Sequence, residues 1–316
     1  MDRELIKKEV NVRTGEIRYK EPDWVSYNNT SNYVKKDFIE GIREKQSFEN
    51  KFFNFITEFQ TNLRQNYNAT FEELGRLLLL MTYARYRDIE AKKHYVYSDN
   101  NKKMSSKILS KMWRLDIQQT YNVKSTMKKK GLIGEDEKGL YIDDSIMIRG
   151  KVFPSEKRKL EYYVMYDKPI RDLYNVTTEY GKVDNAKVMG IFLSLIPFIK
   201  TSTVKKKKGK IGSNNKLVMS EWDEKLNQYK PISKSNLAKH LSISRTTLDR
   251  YLGILNVKSK EITGKYLIYE IKPSGINDLT KTSMFINPMY TYTEGTGTEH
   301  YNILENLLNE AERHLG

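Results

Sequence analysis

The sequence contains no cysteine, which removes disulfide bridges, thiolate metal ligands and cysteine nucleophiles and fits a reducing compartment. Histidine is nearly as scarce. His94, His240, His300 and His314 stand alone, without the paired histidine or carboxylate spacing of a catalytic metal. No glycine-rich loop of the phosphate-cradling kind is present, and the 22 tyrosines lack the arginine and histidine pattern of a tyrosine recombinase. No apolar run reaches the roughly twenty residues of a membrane span. Residues 1–8 lack a secretory apolar core, so the expected compartment is the cytoplasm. These absences lead us to expect a protein that is not an enzyme, with no cofactor, no metal and no membrane partner. Acidic residues are also in deficit, with 40 Asp and Glu against 55 Lys and Arg and a net charge of +15. That balance favours a polyanionic partner, although part of it reflects a lysine-rich composition. At 316 residues and 38% hydrophobic content, the chain can bury two cores of ordinary size.

What the sequence does contain is one short pattern carried twice. In residues 232–255, Ser233 is placed to cap a short helix that buries Leu237, Ala238 and Leu241. Ser242 and Ile243 make a turn. Ser244 then caps a second helix that buries Leu248, Tyr251, Leu252 and Leu255 and turns Arg245, Thr246, Thr247, Asp249 and Arg250 outward. Residues 265–271 are β-branched and aromatic, 272–275 form a turn and 283–288 return as a strand. Helix, turn, helix and hairpin in that order describe a winged helix-turn-helix, whose second helix reads a DNA groove.

The same pattern fits residues 104–152 when Leu109 is set on Leu237, an offset of 128 positions (237 less 109). Ser110 then falls on Ala238, Trp113 on Leu241, Leu115 on Ile243 and Thr120 on Leu248. Val123 and Met127 continue the buried stripe, and Gly131 ends the helix. Residues 135–142 turn into a short wing expected to close with 145–149. The outward face is Asp116, Ile117, Gln118, Gln119, Tyr121 and Asn122. Thr120 is a weak core residue and Arg114 replaces a small turn residue, so this copy departs from the pattern. An apolar helix precedes each copy, over 71–83 and over 187–198, which extends the duplication to helix, helix-turn-helix and wing.

The expected fold class is therefore mainly α with small β-wings, in tandem duplicated winged helix-turn-helix domains. An N-terminal arm and amphipathic helix occupy 1–67, the first winged-helix domain 68–155, the second 156–296 and a C-terminal helix 297–316. The arm includes a small hairpin around Thr14 and Gly15. Phe48, Phe52, Phe55, Ile56, Phe59 and Leu63 recur at helical spacing, as a stripe that packs on the first domain or makes a homodimer contact. A short helix is expected over 166–174. A basic insertion near 201–216 contains Lys205, Lys206, Lys207 and Lys208, which either follow a phosphate backbone or stay solvated. The C-terminal stripe Leu304, Leu307, Leu308 and Ala311 packs on the second domain or pairs with a second chain.

Gly131 to Ile133 with Gly139 to Asp144, Ile170 to Asn175 followed by Phe192 to Phe198, and Ser283 to Pro288 give the chain a resemblance. It resembles two-module winged-helix proteins encoded by phages and plasmids of low-GC Gram-positive bacteria, usually regarded as transcription regulators or replication initiators. The resemblance covers about residues 71–292 and implies double-stranded DNA binding without deciding between regulation and replication. The DNA-contacting candidates are Gln118, Gln119, Tyr121, Asn122 and Lys124 in the first copy, Ser244, Arg245, Thr246, Thr247 and Arg250 in the second, and Lys205 to Lys208. Arg245 suits guanine, and Gln118, Gln119 or Asn122 suit adenine. The leading expectation is a regulator on a bipartite operator. A replication initiator on origin repeats and a winged-helix adaptor for a host protein are the alternatives.

Overall fold

The computed structural model describes residues 9–10, 24–27, 33–35, 52–56, 67–149, 162–176, 184–199, 219–224, 228–271, 283–287 and 290–293. The architecture is mixed α+β, with seven α-helices and five small sheets among the described residues. The chain divides into two compact units, Met1–Phe52 and Phe53–Gly316. In the first, β1 (Glu9–Val10) runs parallel to β2 (Trp24–Tyr27), and β2 runs antiparallel to β3 (Tyr33–Lys35). The hairpin expected around Thr14 and Gly15, the basic insertion and the C-terminal helix lie outside the described residues.

The core of the second unit is built on two helices distant in sequence. α1 (Phe71–Met81) starts at Thr70, whose hydroxyl accepts from Glu73 N–H at 3.2 Å while Thr70 N–H donates to the Glu73 carboxylate at 2.8 Å. α5 (Asn185–Leu195) starts at Asp184, which accepts from Ala186 N–H at 2.8 Å. Leu74 and Leu77 to Leu80 of α1, with Val188, Met189 and Ile191 to Leu193 of α5, are buried. Helices apolar nearly all round need protein on every side. Among the described residues, no helix is long and apolar enough to cross a membrane. The two backbones cross at glycines. A Cβ on Gly75 would overlap the carbonyl of Ala186, and a Cβ on Gly190 would overlap the carbonyl of Phe71. Each glycine thus faces the residue four positions before the other, as across a local two-fold axis. Glu72 and Lys187 pair at 3.3 Å beside the crossing.

Around this pair the chain follows one path twice. α2 (Ser106–Trp113) and α3 (Ile117–Lys129) match α6 (Lys234–His240) and α7 (Arg245–Thr263). Their N-caps are Ser105 and Asp116 against Ser233 and Ser244, each 128 positions apart (233 less 105, 244 less 116). Between the helices Arg114 and Ser242, in the same register, take the left-handed conformation at φ 55° and 54°. Leu115 and Ile243 then donate N–H to the carbonyls of Ser110 and Ala238, both at 3.0 Å. Leu109 with Leu237, Thr120 with Leu248 and Met127 with Leu255 are fully buried pairs in that register. Thr120 can be a core residue because its hydroxyl donates to the Asp116 carbonyl at 2.7 Å and leaves no orphaned polar atom.

A sheet flanks each helix pair. β5 (Lys93–Tyr95), β6 (Gly134–Asp136) and β7 (Gly139–Asp143) are antiparallel in the order β5-β7-β6. In the second half β12 (Ile268–Ile271) pairs antiparallel with β13 (Ser283–Ile286). Met219 N–H adds to this hairpin at the Met284 carbonyl at 2.8 Å, much as Val96 N–H meets the Leu140 carbonyl at 2.8 Å. A further hairpin, β10 (Ser220–Asp223) with β11 (Gln228–Pro231), precedes α6.

Two expectations are corrected, both because strand pairing prevails over local spacing. Phe52–Ile56, expected inside a helix over 48–63, is strand β4, and the remainder of that stretch lies outside the described residues. Residues 145–149, expected to close the first hairpin, instead supply β8 (Met147–Ile148), which pairs antiparallel with Asn54 and Phe55 of β4. These strands belong to a four-stranded sheet in the order β14 (Thr291–Thr293), β9 (Tyr162–Tyr166), β4, β8. Aromatic residues at 52–55 suit a strand as well as a helix, and the available partner strands decide between them. Phe53, Phe55 and Ile56 are buried within the chain. Arg149 is drawn from the sheet into the core, where it grips Asp167 at 2.6 and 2.7 Å. It also donates to the Met81 carbonyl at 3.0 Å, at the end of α1. Asp167 opens α4 (Asp167–Asn175), close to the expected short helix.

Candidate nucleic-acid interface

The second helix of each pair buries one face and presents the other. On α3, Gln118, Gln119, Tyr121 and Asn122 are exposed, as is Ile117 before them. On α7, Arg245, Thr246 and Arg250 are exposed and Thr247 is half-buried. Ser244 caps α7, its hydroxyl accepting from Thr247 N–H at 3.0 Å. In each copy the residues expected to contact base edges therefore gather near the N-terminal end of one helix, the end from which a groove is reached. The two ends differ in charge. A neutral serine caps α7 and leaves its positive dipole end uncompensated, whereas Asp116 places a carboxylate at the start of α3, accepting from Gln119 N–H at 2.7 Å.

Lys124 is engaged within the chain. Its ammonium lies 2.5 Å from the Glu135 carboxylate on β6, which also takes Lys128 at 2.9 Å. Burial would raise the Glu135 carboxyl, but the two lysines outweigh it and hold it below its ordinary value. In the second copy Lys234 fills a comparable tying role, 3.0 Å from Asp249 and 2.6 Å from Glu270 of β12. Burial alone would lower its ammonium; the two carboxylates hold it above the usual lysine range. Arg245 reaches Asp249 only at 3.7 Å and stays 65% exposed, so its guanidinium remains available. Among the described residues Arg250 forms no ion pair.

Behind the two faces lies a junction that the sequence did not reveal. Lys258, one turn past Leu255, the last core position expected on this helix, is buried on α7. It donates to the carbonyl of Leu173 at 3.3 Å, to that of Val176, and to the Asn185 side chain at 3.0 Å. Arg114, in the turn between α2 and α3, donates to the Asn175 carbonyl at 3.0 Å. Both copies thus send a cation to the C-terminal end of α4, where free carbonyls and the helix dipole favour positive charge. Burial first, and then the charge of Arg114, push the Lys258 ammonium down to about 8. A lysine interrupting an apolar stripe was the available signal. The β10–β11 hairpin was also missed; there Glu221 accepts from Asn236 Nδ2 at 2.8 Å and fixes the start of α6.

Lys205, Lys206, Lys207 and Lys208 lie outside the described residues. No family model matches the chain, and no curated protein and no solved structure matches it either.

Proposed function

We propose that this chain is a sequence-specific double-stranded DNA-binding protein of the phage and plasmid type, a transcription regulator that reads a bipartite site with two winged helix-turn-helix modules. The observation that carries the reading is the common register of 128 positions, kept through both N-caps, the left-handed turn residue and the buried stripe. Each repeat ends in an exposed helix face followed by a hairpin, the arrangement in which one helix enters a major groove while neighbouring groups hold the backbone. A net charge of +15 supplies the phosphate attraction. Arg114, in the turn that leads into α3, and Lys258 on α7 tie both helix pairs to one end of α4, which supports a fixed spacing between half-sites. Binding is itself the activity, so no reacting group or cofactor is required.

A replication initiator is the second reading. It is favoured by the same junction, because a chain that spans a whole bipartite site alone can line up in copies along origin repeats. Repeated sites within an origin, together with local duplex melting, distinguish it from a regulator.

The decisive experiment is selection of bound duplexes from random DNA, followed by affinity measured over a salt series. A split motif with two half-sites supports the reading. Arg245→Ala should then relax preference at one position by about 1–3 kcal/mol. Neutralising Lys205 to Lys208 should flatten the salt dependence by nearly one unit of slope for each phosphate no longer neutralised. Weak, sequence-indifferent binding that vanishes at moderate salt would overturn the proposal in favour of a scaffold for a host protein.

A further inference from the structure

The common register sets the two reading faces against each other position by position. Ile117 stands where the second copy has Arg245, Gln118 where it has Thr246, Tyr121 where it has Asp249 and Asn122 where it has Arg250. The first face keeps two large apolar side chains in water, Ile117 at 46% and Tyr121 at 53% exposure. They are four residues apart on α3 and so stand side by side. In the next row round the helix stand the amides of Gln118 and Asn122, joined at 3.4 Å. No cation occurs over 117–123, a carboxylate caps the helix, and the next lysine, Lys124, is held by Glu135. The second face has the opposite character: two exposed arginines, a neutral cap and no large exposed apolar side chain among its described residues.

Resting on the DNA-binding reading, we infer that the two modules read different bases. The first takes an A·T-rich half-site, with Ile117 and Tyr121 against thymine methyl groups and Gln118 or Asn122 on adenine. The second takes guanine through Arg245 and Arg250. In the major groove thymine offers a methyl group, adenine an acceptor and a donor that match a carboxamide, and guanine two acceptors that match a guanidinium. A cation-free apolar patch gains little from phosphate but gains from burial against methyl groups. A site read this way has a direction, because its halves cannot be exchanged.

The test uses the full chain and a duplex enriched from random DNA. Uracil in place of thymine removes the methyl group and leaves base pairing intact. In the first module's half-site each such replacement should weaken binding about fourfold, the value of one buried methyl group. The Ile117→Ala/Tyr121→Ala variant should bind the thymine and uracil duplexes equally, whereas Arg245→Ala should keep the full uracil penalty. Both changes are at exposed positions, and unchanged thermal midpoints establish that the variants are folded. Uracil without effect in either half-site overturns the inference. So does wild-type affinity and preference in the Ile117→Ala/Tyr121→Ala variant, which would assign the apolar face to a protein contact. If the full chain enriches no duplex at all, it is the DNA-binding reading that fails.

Discussion

Arg114 and Lys258 converge on one helix end: the guanidinium of the first donates to the Asn175 carbonyl at 3.0 Å and the ammonium of the second to the Leu173 carbonyl at 3.3 Å. The two cations come from opposite copies of the repeat, and the charge of one lowers the proton affinity of the other.

Lys258 makes stability depend on pH in a stated direction. Its folded value, about 8, lies below the ordinary 10.5, so the unfolded chain holds the proton more tightly. The penalty for burying the charge is complete below pH 8 and is relieved as pH rises from about 8 toward 10.5. Wild-type stability should therefore gain on Lys258→Met over that range, by at most about 1.4 kcal/mol per pH unit for one proton. Urea midpoints of both proteins at pH 7, 8 and 9 measure it, and parallel trends would remove Lys258 as the titrating group.

The glycine crossing is a packing limit. A methyl group at Gly75 or Gly190 meets backbone rather than a side chain that can swing aside, so α1 and α5 must separate. Gly75→Ala and Gly190→Ala should each cost about 3 kcal/mol, the upper part of the usual range for overpacking. Thermal denaturation reads this directly. A destabilisation below about 0.5 kcal/mol would mean that the helices are not held so close.

Arg149 and Asp167 form a buried pair that also closes the end of α1. Removing one partner leaves the other charged and unmatched. Arg149→Met and Asp167→Leu should each destabilise by roughly 3–5 kcal/mol, and Arg149→Met/Asp167→Leu by clearly less than their sum. Additive effects in a double-mutant cycle would show that the two residues act independently.

Glu135 restrains two lysines on α3 itself. Glu135→Gln should release Lys124 and Lys128 toward phosphate, raising affinity at low salt and steepening the salt dependence by up to about 0.9 units for each phosphate newly neutralised. An unchanged slope would mean that neither lysine can reach DNA.

Local rules made much of the repeat legible. Ser233 and Ser244 cap helices because a hydroxyl three residues ahead of a free N–H meets it within a single turn. The exposure of Gln118, Asn122 and Arg250 followed from the burial of Thr120, Leu248 and Leu252 on the other faces. What escaped depends on distant partners. Phe52–Ile56 has helical spacing, yet β8 lies about ninety residues away and supplies the ladder that makes it a strand. Lys258 finds its carbonyls on α4, 85 residues earlier. Lys124 meets Glu135 only because the hairpin brings β6 against α3.

The duplication has a genetic consequence. A homodimer specifies both reading helices with one set of codons, so every substitution alters both halves of its target together. Here residues 117 and 245 are encoded separately on a body locked by Gly75 and Gly190. On the proposed DNA-binding reading, either face can change its chemistry while the other keeps its half of the site.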